Sequence, residues 1–202
     1  MNRRIVLASS SPWRREILAR AGIPFTARAS GIDESPRPGE SAPALAERLS
    51  IAKAKAVAES PANDAAGRDA RDALVIGCDQ VAECRGQLIG KPRDHAHAVA
   101  QLQSASGATV TLHSGIALYD AATAAVQSAV EVFTVEFRRL DRDLIERYLR
   151  AEQPYQCCGS LKAEGRGIAL LRRLHGDDPN ALIGLPMIRL VDMLNHAGVE
   201  VV

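Results

Sequence analysis

The sequence predicts a mixed α/β protein, on three observations. Short apolar runs alternate with stretches of helical periodicity, which is the pattern of strands and helices packed in layers. Two neighbouring strand-like runs, 109–119 and 126–139, are joined by a turn too short for a crossover, so they pair antiparallel. The first run, IVLA, instead feeds directly into a helix, as parallel strands of α/β folds do. The expected sheet therefore contains both pairings.

The elements follow in order. RRIVLAS reads as a buried strand ending near Ala8. SSSP then opens a helix over 12–21, with Ser11 as N-cap, Pro12 at the first helical position and Gly22 as the stop. Ile17, Leu18 and Ala21 form its apolar stripe. A second strand fits 25–30, and GIDESPRPGES is loop. A long helix over 42–60 carries Leu45, Leu49, Ala52 and Ala56 on one face, with Lys53 and Lys55 off that stripe. The polar segment PANDAAGRDARD (61–72) reads as a solvated loop. ALVIG is the most apolar run of the chain and leads into Cys78, Asp79 and Gln80, which puts Asp79 at a strand end. VAECRGQLIGK turns as a hairpin at Arg85-Gly86. Helices are expected over 94–104 and 140–152, a Gly-punctuated strand over 159–171, a GDDPN turn, a short helix near Ala181 and a last helix over 186–197.

Composition narrows the function. With 202 residues, 47% hydrophobic and 24% charged, the chain is globular and long enough for a substantial core. A single domain spanning 1–202 is expected. Lys plus Arg number 25 against 24 Asp plus Glu, so there is no cationic excess for coating nucleic acid or acidic lipid. No run approaches the ~20 apolar residues of a membrane span, and IVLA is too short for a signal-peptide core. A cytoplasmic location is expected. Cys78, Cys84, Cys157 and Cys158 fit no zinc spacing and read as small buried side chains.

Several residues could carry chemistry. A strand leading through Ser9, Ser10 and Ser11 into a helix N-terminus presents backbone N–H groups, hydroxyls and a positive dipole end, with Arg14 one turn in. That combination suits an oxyanion. Asp79 and Glu34 are candidate acids, while Lys53 and Lys91 could neutralise a polyphosphate whose Mg²⁺ the acids hold. His95 and His97 lie two apart on a helix, cannot share a face, and read as solvated. LDRDLIERYLR reads as an exposed, salt-bridged face.

LASSSPWRREIL, IDESPRP, ERLSIAKAKAV, IGCDQV and LIGKP, then SASG, PYQCCGSLKAEGRGIALL and GDDPNALIGLPMIRL, resemble in order and spacing the Maf-like nucleoside triphosphate pyrophosphatases. The resemblance reaches to about residue 190. It implies the architecture of the inosine triphosphate pyrophosphatases: a long mixed sheet flanked by helices, in two lobes around a nucleotide cleft. It also implies a branch. Trp13, Gln80 and Glu164 stand where the 7-methyl-GTP-cleaving branch differs from the dTTP/UTP-cleaving one, and look like its specificity positions. By this resemblance Asp79 is the proton acceptor and, with Glu34, a metal ligand. Ser9, Ser11, Arg14, Lys53 and Lys91 bind phosphates. The implied cofactor is a divalent cation, Mg²⁺ with Mn²⁺ or Co²⁺ as alternatives. The implied partner is a nucleotide, with no nucleic acid or membrane, and a homodimer is left open. Cleavage of dTTP, UTP or another modified triphosphate, and a non-catalytic nucleotide-binding regulator of cell division, remain as alternatives. Three departures stand out: a long loop at 61–72, Cys158 in place of an expected alanine, and Ser114 in place of threonine.

The substrate implied has a physical logic. Methylation at N7 makes guanine cationic, and an indole face attracts a cation by ~0.5–2 kcal/mol. Trp13 is the one tryptophan of the chain, and it sits beside the candidate phosphate cradle. Glu164 can accept from the base's N–H edge and offset its charge.

Overall fold

The computed structural model describes residues 3–60 and 72–202. Its strands are β1 (Ile5–Leu7), β2 (Thr26–Ala27), β3 (Leu74–Cys84), β4 (Gln87–Ile89), β5 (Thr109–Asp120), β6 (Val126–Phe137) and β7 (Leu171–His175). The helices are α1 (Pro12–Arg20), α2 (Ala42–Glu59), α3 (His95–Ala105), α4 (Arg142–Glu152) and α5 (Met187–His196). Among the described residues the strands form one sheet in the order β2-β1-β3-β5-β6-β7, with β4 beside β3. β1 is parallel to β2 and β3, and the remaining pairs are antiparallel. The mixed sheet is as the sequence predicts.

Local signals account for most boundaries. Ser11 Oγ accepts from the Arg14 N–H at 3.4 Å and caps α1. Arg85 (φ 52°) and Gly86 (φ 76°) make the primed turn that a two-residue hairpin between β3 and β4 needs. Asp94 and Asp141 cap α3 and α4 through the His97 and Leu144 N–H groups, each at 2.7 Å.

Two of the buried clusters divide the long strands between them. Ala82, Cys84, Val110 and Leu112 join Leu102, Phe133, Ile145 and Leu149 in one buried cluster. Further along the same strands, Leu74, Ile76, Ile116 and Leu118 pack with Leu7, Leu18, Leu190 and Leu194 in another. Between them lie Asp79, Gln80, Ser114 and Gly115, so polarity interrupts the sheet where the two clusters part.

Helix α2 lies against β3 and β5 with almost no space between backbones. A Cβ on Gly77 would sit 2.0 Å from Ser50 O, and one on Gly115 would sit 2.2 Å from Ala46 O. This contact widens the buried face beyond the expected stripe: Leu45 and Leu49 are buried as expected. Ala46, Ser50, Lys53 and Ala54 face inward, while Ala52 and Ala56 are only half-buried. Lys53 therefore lies on the buried face rather than off it. Gly77→Ala forces the helix off the sheet, and overpacking of this kind typically costs ~1–3 kcal/mol. For a chain of this length that predicts a melting temperature lower by about 2–12 °C, read by thermal denaturation; an unchanged value would contradict the backbone contact.

Four other expectations change. The second strand shrinks to two exposed residues at the sheet edge. Residues 159–170 are not a strand: Gly159 and Ser160 take positive φ, and 310 turns span Cys158–Ser160 and Arg166–Leu170 before β7 begins at Leu171. Turn hydrogen bonds and side chains, not a strand partner, satisfy this backbone. Tyr148 Oη donates to Ser160 O at 3.1 Å and accepts from the Lys162 N–H at 2.9 Å. His95 is not simply solvated either, since its ring nitrogens lie 2.9 Å from Tyr155 Oη and 3.0 Å from Glu146 Oε2. Cys78 and Cys84 are buried as expected, but Cys157 and Cys158 are only half-buried. Apart from Asp72, the loop expected at 61–72 lies outside the described residues. No helix among the described residues is long and apolar enough to cross a membrane.

Candidate functional site

The site exists because one edge of β3 is left open. β5 pairs with β3 along its whole length, from Leu74↔Asp120 to Cys84↔Val110. On the other edge β1 covers only Leu74 to Ile76, and β4 only Ala82 to Cys84. The backbone between them is met by side chains instead. Arg14 Nη1 donates to Cys78 O at 2.8 Å, and Cys158 Sγ lies 3.7 Å from Gln80 O. Asp79 is thus in the middle of β3, not at its end; it projects where the strand has lost its neighbour.

Around this gap opens a cleft of about 1190 Å³, and all ten residues singled out in the sequence line it: Ser9, Ser11, Trp13, Arg14, Glu34, Lys53, Asp79, Gln80, Lys91 and Glu164. They come from β1–α1, the 31–41 loop, α2, β3, the segment after β4, and the 310 region. Chain segments far apart in sequence meet at one cavity.

The phosphate-cradle candidates are locally ordered. Ser9 Oγ accepts from the Ser11 N–H at 3.1 Å and from Arg14 Nη1 at 3.5 Å. Gly184 lets the Arg14 guanidinium lie under the turn that follows Pro179–Ile183: it has φ +92°, and a Cβ there would fall 3.1 Å from Arg14 Nη2. Lys91 is exposed. The Gly90 carbonyl beside it accepts from the Gly159 N–H (3.1 Å) and Gln101 Nε2 (3.0 Å), which pins the base of that side chain.

The acids meet at an ammonium. Lys53 Nζ lies 2.5 Å from Asp79 Oδ1 and 2.6 Å from Glu34 Oε1. Burial pushes the Asp79 carboxyl above its ordinary range, opposed by the charge and hydrogen bond of Lys53 and by Arg14. Lys53 and Asp79 are buried, whereas the Glu34 side chain is 55% exposed. Its loop is stapled to α2 by Arg48, which pairs with Glu40 through Nε (2.6 Å) and Nη2 (2.7 Å) and donates to Ser35 O at 3.1 Å. The Arg48 contacts hold the Glu40 carboxyl down at about 2. Arg48 and Glu40 escaped the sequence reading, since nothing local marks a pair eight residues apart across a loop.

Among the described residues no three His, Cys, Asp or Glu groups converge as a metal cage. Two carboxylates within reach of one cation do suit a hard ion that keeps waters and takes its other oxygens from a phosphate substrate. The donor set therefore fits Mg²⁺ held jointly with substrate.

Gln80 is committed inward. Its Nε2 donates to Ser114 Oγ (3.0 Å), Ala181 O (2.9 Å) and Leu182 O (3.2 Å), and Ser114 Oγ donates to Ala181 O at 2.7 Å. Ser114 is fully buried beneath this turn, so its hydroxyl acts on the turn rather than in the cleft. Asp178, also missed in the sequence, holds the other side, accepting from the Asn180 and Ile188 N–H groups at 2.8 Å each.

Trp13 is 36% exposed on the first turn of α1. Lys162 Nζ stands 4.5 Å from its ring centroid and 2.7 Å from Glu152 Oε1. Lys162 lies within the motif PYQCCGSLKAEGRGIALL but was not singled out there, and nothing local marked Glu152. Glu164 is exposed at the same wall. Cys157 and Cys158 complete it; burial raises both thiols, Cys157 to about 11, so they stay protonated at neutral pH.

The family model described as "Maf-like protein" matches residues 4–197. A "7-methyl-GTP pyrophosphatase" of Methylobacillus flagellatus is 51% identical over 198 residues, covering 98% of each chain. Proteins of the same name from Nitrosococcus oceani and Pseudomonas aeruginosa are each 49% identical, over 98% of this chain and 94% and 98% of theirs. With the match extending over nearly its whole length, the chain belongs to the Maf-like protein family.

Proposed function

We propose that this protein is a nucleoside triphosphate pyrophosphatase that hydrolyses 7-methyl-GTP to 7-methyl-GMP and diphosphate, keeping modified nucleotides out of nucleic acids. The observation that carries it is the convergence of a buried carboxylate, a cationic oxyanion cradle and the sole tryptophan on one cleft. The names of the half-identical relatives point the same way.

In this reading Asp79 takes a proton from water, whose oxygen attacks the α-phosphorus; the bond from that phosphorus to the oxygen bridging to the β-phosphate breaks, and diphosphate leaves. A desolvated carboxylate is a stronger base than one in water, and Asp79 is desolvated. Ser9, Ser11 and the α1 N-terminus bind phosphate oxygens; Arg14, Lys53 and Lys91 offset the charge that builds on them. Bound by Asp79, Glu34 and substrate, Mg²⁺ (with Mn²⁺ or Co²⁺ as alternatives) would supply Lewis-acid stabilisation of the leaving diphosphate. Trp13 stacks on the methylated base and Glu164 offsets its charge. Gln80 acts in base selection through the turn it holds, since its amide nitrogen is spent on Ala181 and Leu182.

A panel of 7-methyl-GTP, GTP, dTTP and UTP, scored by diphosphate release with and without divalent metal, tests the proposal. Release is expected to be fastest from 7-methyl-GTP and to need the metal. Trp13→Ala should narrow the preference over GTP by about twofold to thirtyfold, the span of a cation–π contact. Faster release from dTTP or UTP, or unchanged selectivity in the variant, would overturn the substrate assignment.

A further inference from the structure

Of the two proposed metal ligands, Asp79 is carried by β3 and Glu34 by a loop. Residues 29–40 have no helix or strand, and the Glu34 side chain is 55% exposed. Ile32 packs on the cluster of Leu45 and Leu49, but an apolar contact has no direction and does not aim a carboxylate. Among the described residues, the hydrogen bonds and ion pairs that tie 29–40 to another element all end on α2. Lys53 meets the Glu34 carboxylate, and Arg48 meets the chain just beyond it. The Arg48 fork takes both Glu40 oxygens, at 2.6 and 2.7 Å, and Ser35 O at 3.1 Å. Glu40 Oε2 also accepts from the Arg37 N–H, and Asp33 Oδ1 from the Ser35 N–H, each at 2.9 Å, so the backbone on both sides of Glu34 is fixed. The Glu40 side chain is 9% exposed and that of Arg48 22%, unlike the solvated surface pairs that contribute little. Backbone contacts at Gly77 and Gly115 in turn seat α2 on the strands around Asp79. One helix thus sets where Glu34 stands relative to Asp79.

Resting on the reading of Asp79 and Glu34 as metal ligands, we propose that Arg48 is a positioning residue: it holds the 31–41 loop so that Glu34 is presented to the divalent cation, and it sets the affinity for that cation without touching it. A cation that needs both carboxylates binds with an apparent affinity reduced by the fraction of molecules in which Glu34 is in place. With the fork intact, the loop is ordered on folding. Without it, the ordering falls to the binding step and weakens it. Lys53 does not take over this task, since it holds the end of the Glu34 side chain and nothing of its backbone. A lysine at position 48 would not suffice either, because a compact ammonium lacks the planar fork that reaches two carboxylate oxygens and a carbonyl together. The effect lies on the metal and is the same for every nucleotide, so the preference among bases is untouched.

The test is a double-mutant cycle between Arg48→Met and Glu34→Gln. Arg48→Met should raise the Mg²⁺ concentration at half-maximal diphosphate release about tenfold, the order seen when a group that orients a metal ligand is removed. That rise should exceed any fall in kcat at saturating Mg²⁺, and Arg48→Lys should lie between Arg48→Met and wild type. In Glu34→Gln, where the ligand is already lost, adding Arg48→Met should raise the metal requirement no further. Titration of Mn²⁺ by its electron paramagnetic resonance signal, with a 7-methyl-GTP analogue bearing a methylene bridge between the α- and β-phosphorus, reads the same affinities without turnover. An unchanged metal affinity in Arg48→Met, or an equal loss in both backgrounds, overturns the inference; the equal loss is what general loosening of the fold would give. Should thermal denaturation show that Arg48→Met does not fold, Glu40→Gln, which keeps the volume and weakens the fork, takes its place in the cycle. If wild type releases no diphosphate from 7-methyl-GTP, GTP, dTTP or UTP, the functional reading has failed, and the Mn²⁺ cycle still decides the role of Arg48. Wild type that binds no Mn²⁺ with the analogue overturns both.

Discussion

Asp79→Asn is expected to lower kcat for diphosphate release by about 100-fold or more, since a positioned general base contributes 10²–10⁴. The substitution keeps the shape of the side chain in the middle of β3, so the open strand edge and its contacts to Arg14 and Cys158 persist. What goes is the capacity to accept a proton, and with it one of the two carboxylates at Lys53. Nucleotide binding should survive, because the cradle of Ser9, Ser11, Arg14 and Lys91 is not built from Asp79. Single-turnover rates together with Trp13 quenching separate the two effects. Turnover within tenfold of wild type would remove Asp79 from the base role.

Lys53→Met is expected to cost about 10²-fold in kcat, the order found when one preorganised charge-stabilising donor is lost. It should also move the acid limb of the pH–rate profile. Burial raises the Asp79 carboxyl, and the charge and hydrogen bond of Lys53 are the main influences lowering it again. Removing Lys53 leaves Asp79 and Glu34 facing each other without an intervening cation, so the Asp79 proton is held to higher pH. A base works only when deprotonated, so activity then falls away at a higher pH than in wild type. A profile of kcat/KM against pH from 4 to 8 checks the sign. An acid limb that stays in place would mean that Asp79 is not the titrating group or that Lys53 does not govern it.

How much of this was legible in sequence depends on the range of the interaction. The β1–SSSP–α1 unit, the Arg85-Gly86 hairpin and the caps at Asp94 and Asp141 are decided within a few residues of chain, by φ preference and side chain-to-backbone hydrogen bonds. The ordered motifs gathered the ten candidate residues, and the cleft contains them all. Periodicity failed where a helix is steered by its partner. Leu45 and Leu49 are buried as expected, but extending their stripe through Ala52 and Ala56 left Lys53 off it, whereas the glycines of β3 and β5 admit the helix backbone itself and Lys53 lies on the buried face. Residues 159–171 read as a Gly-punctuated strand, but Tyr148 on α4 and Gln101 on α3 take up backbone and side-chain groups of that segment.

By itself the sequence determined the fold class, the order of most elements, and which side chains are candidates for phosphate-binding, acidic and aromatic roles, because each depends on local geometry or on residue type. Only the tertiary structure decided how they act together. That β3 lacks a neighbour at Asp79, that Lys53 bridges two acids, and that Lys162 rests on Trp13 against Glu152 all follow from contacts between distant segments. Such contacts are set by how layers pack and which backbone groups are left unpaired, and no spacing along the chain encodes them.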